Sequence, residues 1–151
     1  MPTDGEVLFA DTNIFLSATD VSRPQHASAR DLLTTAAEGR FHIALSGQVL
    51  REYLVVATRP VAANGLGLET RDGLRNVEVF TGPPFLFCDE SEAVSIGLRD
   101  LISTHKLSGK RVHDANIVAT MLVHGISRLI TQNTRDFEDL DEIAASRLNE
   151  V

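Results

Sequence analysis

The sequence predicts an α/β fold with a central, mostly parallel sheet. Short apolar segments of strand type alternate along the chain with longer segments whose apolar residues recur at helical spacing. This alternation is typical of parallel strands joined by helical crossovers. The length of 151 residues, with 43% hydrophobic and 23% charged residues, is typical of one globular domain. We therefore expect residues 1–151 to form a single domain, since no repeat, linker or change in composition divides them.

The first third of the chain contains two predicted strands and two predicted helices. Residues 7–10 form a wholly apolar segment that ends at Asp11. Residues 25–38 place alanines and leucines on one helical face and are followed by a glycine, a common stop signal. A second apolar segment, 42–45, precedes a helix that we predict over 47–58.

The rest of the chain continues the alternation. The predicted elements are helices over 69–80, 91–105 and 112–124 and strands over 85–88 and 128–131. The first of these helices contains a glycine, which weakens the prediction, and the last is followed by one. Residues 139–151 fit either a helix or an edge strand.

Charge and cysteine content exclude several protein classes. The net charge of −7 does not attract nucleic acid at long range, but a local basic segment or a bound metal can reverse the sign at the contact. The single cysteine, Cys88, excludes an intrachain disulfide and a cysteine-built zinc site. The apolar segments are far shorter than the ~20 residues of a membrane helix, and the first residues do not resemble a signal peptide. We therefore expect a cytoplasmic protein.

The most informative residue is Asp114, a carboxylate on the apolar face of a predicted helix. Helical spacing places it on the same face as four apolar residues of the segment 112–124. An unpaired charge in a core is costly. Asp114 must therefore pair with a base, hold a cation or, as an acid in the first turn, stabilise the helix end.

Three further acids occupy comparable positions. Asp11 directly follows the first strand, Glu52 borders the apolar face of helix 47–58, and Asp136 lies in the loop after the fourth strand. Each has an ordinary alternative: an N-cap or turn for Asp11, a solvated flank for Glu52 and a loop charge for Asp136. Taken together they follow the carboxyl ends of strands, and those ends meet at one edge of a parallel sheet.

Carboxylates that converge repel one another and raise one another's pKa. A divalent cation relieves that repulsion, and hard oxygen ligands favour Mg²⁺ or Mn²⁺ over zinc. Such an ion polarises a phosphate and lowers the pKa of a bound water. The sequence therefore predicts a metal-dependent site for phosphoryl chemistry built from Asp11, Glu52, Asp114 and Asp136.

Four short blocks that span nearly the whole chain contain these acids. They are residues 11–13, 48–53, 113–119 and 131–137. In this order the blocks resemble those of the PIN-domain ribonucleases, and most of all the VapC toxins of prokaryotic toxin–antitoxin pairs. The resemblance implies a PIN-like three-layer α/β/α sandwich and a Mg²⁺- or Mn²⁺-dependent endoribonuclease.

The resemblance also implies roles for particular residues. The family's three most regular acids match Asp11, Glu52 and Asp114. Many relatives carry an aspartate at the place of Asn133, whereas the nearest acid in this chain is Asp136, three residues later. With Asp136 as the fourth acid, Asn13 and Asn133 are expected to be accessory groups that bind water or phosphate.

One basic segment is a candidate for contact with RNA. Residues 104–111 contain Lys106, Lys110 and Arg111 and no acid, and they lie immediately before the Asp114 block. Because phosphate contacts position a nucleic acid on a protein, we predict that these three side chains bind RNA. The alternative is a solvated loop between helices. One Tyr and no Trp give no support for stacking on bases.

The resemblance implies two protein partners, a second copy in a homodimer and an inhibiting antitoxin that adds to form a larger hetero-oligomer. We expect docking on an apolar region that comprises Phe15-Leu16, the loop 60–68 and the helix around Leu74. An arginine or lysine inserted by the antitoxin would neutralise the carboxylates in place of a metal.

Two other functions fit parts of the pattern. A catalytically silent PIN scaffold that binds RNA or protein is the first, because the fourth acid is displaced. The second is a Mg²⁺-dependent phosphatase with Asp11 as its nucleophile. Such enzymes usually have a second aspartate two residues later, where this chain has Asn13.

Overall fold

The computed structural model describes residues 2–151, which form five strands and six α-helices. The strands are β1 (Val7–Ala10), β2 (His42–Ser46), β3 (Leu86–Cys88), β4 (Arg128–Ile130) and β5 (Ala144–Ser146). The helices are α1 (Thr12–Thr19), α2 (His26–Ala37), α3 (Gly47–Thr58), α4 (Thr70–Thr81), α5 (Glu92–His105) and α6 (Arg111–Val123). Short 3₁₀ helices cover Val61–Ala63, Thr134–Phe137 and Leu148–Glu150.

The five strands form one sheet in the order β3-β2-β1-β4-β5, and every neighbouring pair is parallel. Phe9 at the centre is in register with Ala44 on one side and Leu129 on the other. The helices complete an α/β/α fold, in which α5 packs against α6 and α1 packs against α2 and α3. The predicted α/β class is confirmed, and the sheet is wholly parallel.

The core lies along the three central strands. Phe9, Ile43, Leu45 and Leu129 are fully buried because helices cover both faces of the sheet. This burial explains why the strands appear in the sequence as continuous apolar segments rather than as alternating ones.

The order of the strands creates a crevice beside β1. The chain adds β2 and β3 on one side of β1, and then crosses to add β4 and β5 on the other side. In such sheets ligands bind outside the carboxyl ends of the strands, at the point where the order reverses. Asp11 follows β1 and Thr131 follows β4, so both residues border this point.

Helix α1 is an element that the sequence analysis did not predict. It begins immediately after β1, with Asp11 as its N-cap, and its eight residues offer too short an apolar pattern for recognition. Phe15 and Leu16 lie in the core rather than at the surface. The expectation that they contribute to a docking surface is therefore wrong, since packing against α2 and α3 already buries them.

The end of the chain contains the edge strand β5, which pairs with β4, followed by a 3₁₀ helix. Of the two alternatives for residues 139–151, the edge strand is confirmed. No helix within residues 2–151 is both long and apolar enough to cross a membrane.

Candidate active site

Asp11 is a buried carboxylate at the switch point of the sheet. Its Oδ1 accepts a hydrogen bond from the backbone N–H of Thr12 at 2.8 Å, and its Oδ2 accepts one from the Thr131 hydroxyl at 2.8 Å. Only 8% of the residue is exposed. The side chain therefore caps α1, as the ordinary alternative proposed, and also faces the crevice between β1 and β4.

Asn13 joins α1 to the loop after β4. Its Nδ2 lies 3.3 Å from Asp11 Oδ2 and 3.2 Å from Thr131 Oγ1, and its Oδ1 accepts from the backbone N–H of Gln132 at 3.1 Å. The side-chain amide thus braces Asp11 from within the protein. Asn133 is exposed, and its backbone N–H donates to Thr131 Oγ1 at 3.0 Å.

Glu52 reaches the same crevice from α3, and neutral groups hold both of its oxygens. The Thr12 hydroxyl donates to Oε2 at 2.7 Å, and the Gln48 side-chain amide donates to Oε1 at 3.0 Å. Because Thr12 also contacts Asp11, the carboxylates of α3 and of the β1–α1 junction are linked through one residue.

Asp114, half-buried in the first turn of α6, is electrostatically coupled to the other three acids. Burial is the largest cause that raises its pKa, followed by the charges of Asp136 and Asp11, and Glu52 adds a smaller effect. Arg111, whose Nε lies 3.8 Å from Asp114 Oδ2, acts in the opposite direction. The net pKa is about 6.

Asp11 has the same direction of shift. Burial raises its pKa most, the hydrogen bonds from Thr131 and Thr12 lower it, and the charges of Glu52 and Asp136 raise it further. Asp136 itself is exposed on the 3₁₀ helix after β4 and increases the charge around the other acids. The structure therefore brings the four predicted acids into one region of negative charge that Arg111 offsets only in part.

The four carboxylates do not form a tight ring. Within residues 2–151, the group of three His, Cys, Asp or Glu ligand atoms that all lie within 4.8 Å of one another is a different one, formed by His105, Asp141 and Glu142. No three of the four predicted acids meet this distance criterion. Their carboxylates are therefore spaced more widely than the ligands in the inner coordination shell of one ion. This spacing fits Mg²⁺, which keeps several of its waters and takes one or two carboxylates directly.

The basic residues predicted to bind RNA divide into two groups. Lys106 at the end of α5 and Lys110 before α6 are exposed to solvent. Arg111 is directed inward: its Nη2 donates to the backbone carbonyl of Asp136 at 3.1 Å, and its Nη1 lies 3.5 Å from Asp139 Oδ2. Its guanidinium therefore stabilises the acidic region.

Several polar residues of the site were missed by the sequence analysis. Thr12, Thr131 and Gln48 are almost fully buried, and each one contacts a predicted acid. Gln48 lies four residues before Glu52 on α3, and this i, i+4 spacing would have identified it as a neighbour on the same face. Thr131 immediately follows β4 and Thr12 begins α1 one residue after β1, so both resemble ordinary residues at the ends of elements.

The sequence and the fold both match known proteins. A family model described as PIN domain matches residues 8–143. Ribonuclease VapC24 of Mycobacterium tuberculosis is 27% identical over 133 residues, which cover 88% of this chain and 90% of that protein.

Two solved structures have a similar fold. VapBC2 of Rickettsia felis, bound to a DNA fragment of its promoter, has a TM-score of 0.67 at 18% identity and covers 93% of this chain and 98% of its own. Mycobacterium tuberculosis VapC20, a sarcin-ricin loop cleaving toxin, has a TM-score of 0.63 at 16% identity and covers 81% of this chain and 86% of its own. Since the family match extends over residues 8–143, the chain belongs to the PIN domain family.

Proposed function

We propose that this protein is an endoribonuclease toxin of the VapC type, which cleaves RNA with Mg²⁺ or Mn²⁺ and is neutralised by an antitoxin. One observation carries the proposal: the acids of β1–α1, α3, α6 and the loop after β4 meet in a region where burial and repulsion raise the pKa of Asp11 and Asp114. The similarity to Ribonuclease VapC24 supports RNA as the substrate.

The four acids have distinct roles in this proposal. Asp11, Glu52 and Asp114 hold the ion, each either directly or through one of its waters, and the exposed Asp136 completes the acidic rim on the solvent side. A divalent cation at such a site polarises the phosphodiester and lowers the pKa of the attacking water. The chain itself contributes the orientation of the ligands, because Thr131 and Thr12 hold the Asp11 oxygens in place.

RNA reaches the acidic site past the segment between α5 and α6. Lys106 and Lys110 are exposed there. They supply local positive charge in a protein whose net charge is −7. Contacts from these lysines to backbone phosphates position the strand without reading its sequence. Arg111, already bound to the acidic region, reduces repulsion between the phosphate and the carboxylates.

The proposed antitoxin docks in a groove beside α1. A cavity of about 590 Å³ is lined by apolar residues of α2, α4 and the loop before β3, among them Leu33, Val79, Phe80 and Phe85. The end of α1 borders this cavity at Ala18 and Thr19, whereas its beginning borders the acids. Eight helical residues span ~12 Å, so one extended antitoxin segment can cover both features. A homodimer completes the proposed assembly.

Cleavage of a fluorescent RNA tests the proposed function. We expect cleavage with Mg²⁺ or Mn²⁺, none with EDTA, and a loss of at least ~100-fold in the Asp11→Asn variant, which removes a metal ligand. Asparagine is an equally good N-cap, and it removes a buried charge. The variant should therefore remain folded and melt a few degrees higher than the original protein.

Asp141→Asn is the matched control, since it replaces an exposed aspartate that is not one of the four acids. This control should cleave at the rate of the unmodified protein. Cleavage by Asp11→Asn at that same rate would contradict the proposal. A protein that binds RNA but neither cleaves it nor binds Mn²⁺ in calorimetry would instead be a silent scaffold.

A further inference from the structure

We infer that Gln48 and Asn116 are positioning residues, which fix the orientation of the Glu52 carboxylate toward the ion through a chain of hydrogen bonds that begins at Glu90. The inference rests on the proposed metal site. Neither Gln48 nor Asn116 is one of the four acids, and neither one is proposed to contact the ion.

Gln48 connects the helices that carry two of the predicted metal ligands. Only 4% of it is exposed, and it lies on α3 one turn before Glu52. Its Nε2 donates to Glu52 Oε1 at 3.0 Å and to the backbone carbonyl of His113 on α6 at 3.0 Å. Since His113 directly precedes Asp114, this one amide sets the position of α3 relative to the ligand on α6.

The neighbours of Gln48 determine which way its amide faces. Asn116 Nδ2 donates to Gln48 Oε1 at 2.7 Å and to Glu90 Oε1 at 2.7 Å. Carboxylates and backbone carbonyls only accept hydrogen bonds, so both hydrogens of each amide nitrogen are used. A half-turn of either amide would place oxygen against oxygen. Glu90 therefore fixes the Asn116 amide, and Asn116 acts together with Glu52 and His113 to fix the Gln48 amide.

This arrangement holds Glu52 without cancelling its charge. Thr12 and Gln48 each occupy one carboxylate oxygen, and both donors are neutral. A carboxylate has about four acceptor positions, so each oxygen keeps a lone pair for an ion. An arginine in the place of Gln48 would orient Glu52 equally well but would compete with the cation. Outer partners of this kind typically change metal affinity by ~10–100-fold when they are removed.

The affinity of the full-length protein for Mn²⁺ tests the inference. We expect Gln48→Met, which keeps the size of the side chain but donates no hydrogen bond, to raise the Kd for Mn²⁺ by ~10-fold or more. Free Mn²⁺ measured by electron paramagnetic resonance gives this Kd without any cleavage assay. In RNA cleavage kcat should fall, while KM for RNA stays within about twofold, since Gln48 contacts no substrate.

Asn116→Ala provides a second variant at a partly exposed position. It should weaken Mn²⁺ binding in the same direction, because the Gln48 oxygen then loses its donor and the amide is held less firmly. The double variant should bind no more weakly than Gln48→Met alone, since Asn116 acts only through Gln48. Gln25→Met, a glutamine at the start of α2 without a capping bond, and Asn76→Ala, which loses a bond to Tyr53, are the matched controls and should keep the original Kd.

Each outcome decides the inference. An unchanged Kd in Gln48→Met, or effects of the two variants that simply add, overturns it and leaves the proposed nuclease intact. If circular dichroism shows that Gln48→Met is unfolded, the Asn116→Ala variant decides alone by the same criterion. Failure of the unmodified protein to bind Mn²⁺ overturns both this inference and the proposed metal dependence.

Discussion

Two clusters of acidic side chains in this molecule have opposite electrostatic states. At the carboxyl edge of the sheet, burial and mutual repulsion raise the pKa of Asp11, and they raise that of Asp114 to about 6. In the second cluster His105 Nε2 lies 2.6 Å from Glu142 Oε1. Burial acts to raise the pKa of Glu142, but the hydrogen bonds and the charge of His105 outweigh it, and the net pKa is below its ordinary value.

The two clusters differ both in the spacing of their ligand atoms and in how far their negative charge is compensated within the protein. The trio of His105, Asp141 and Glu142 has the tighter spacing, but His105 is hydrogen-bonded to Glu142 and solvent reaches both acids. The four acids of the site are more widely spaced, yet Arg111 offsets only part of their charge, since the pKa of Asp114 is still raised to about 6. We therefore propose that buried negative charge with too little compensation, rather than close approach of ligand atoms, distinguishes the proposed metal site.

The largest expected effect is stabilisation by Mn²⁺. An ion that binds only the folded state at ~100 times its Kd adds about 2.7 kcal/mol to the free energy of unfolding. For a domain of this size the melting temperature should rise by roughly 5–10 °C. Asp114→Asn should lose most of this rise, because it removes a ligand from the cluster with raised pKa. Thermal melts followed by circular dichroism at increasing Mn²⁺ measure it.

The tight cluster supplies the control for this experiment. Asp141→Asn makes the same chemical change as Asp114→Asn, but in the trio formed by His105, Asp141 and Glu142. We expect this variant to keep the full rise in melting temperature. If instead Asp141→Asn removes the rise and Asp114→Asn keeps it, the assignment of the two clusters is reversed.

A smaller effect is expected from pH in the absence of metal. The pKa of Asp114 is about 6 in the folded protein against 3.8 for an ordinary aspartate, so the folded state binds this proton more tightly. The contribution of Asp114 to stability should therefore increase as the pH falls from 7 to 5, and be complete below pH ~4. Because solvent screens a partly exposed carboxylate, we expect a gain of about 1 kcal/mol.

Urea unfolding in EDTA at pH 7 and pH 5 measures this gain. Asp114→Asn is the comparison, because the same global pH effects act on both proteins and cancel in the difference. We expect Asp114→Asn to have the higher free energy of unfolding at pH 7. The gap between the two proteins should narrow at pH 5, where the native aspartate is largely protonated. A gap that widens at pH 5 would show that Asp114 is stabilised as an anion, and that the site needs no cation.

The sequence predicted that the four acids lie near one another because their positions follow from the topology. Asp11 follows a strand, Asp114 lies in the first turn of α6 and Glu52 lies on the helix that directly follows β2, and a parallel sheet brings such points to one edge. Their hydrogen-bond partners were not predictable in the same way. The roles of Gln48 and Asn116 depend on which way an amide faces, and neighbours from three separate segments decide that.

For a similar reason the sequence patterns did not predict α1, and did not decide between a helix and an edge strand for residues 139–151. Helix α1 is eight residues long, and its apolar residues resemble a continuation of the strand before it. The edge strand β5 is formed by Ala144–Ser146, which have little strand propensity of their own. It is a strand because β4 offers its free edge, and such pairing is a property of the folded chain.

The smallest expected effect is loss of the pair between His105 and Glu142. Exposed ion pairs usually contribute less than ~1 kcal/mol, so His105→Ala and Glu142→Gln should each lower the free energy of unfolding by about 0.5 kcal/mol at neutral pH. Because the lowered pKa of Glu142 stabilises the folded state only where this acid is ionised, the loss should disappear as the pH falls below ~4. Urea unfolding of both single variants and the double variant measures the coupling between the two residues. A coupling that grows when Mn²⁺ is added would mean that this trio also binds a cation, and close spacing of ligand atoms would then identify a metal site as well as buried charge does.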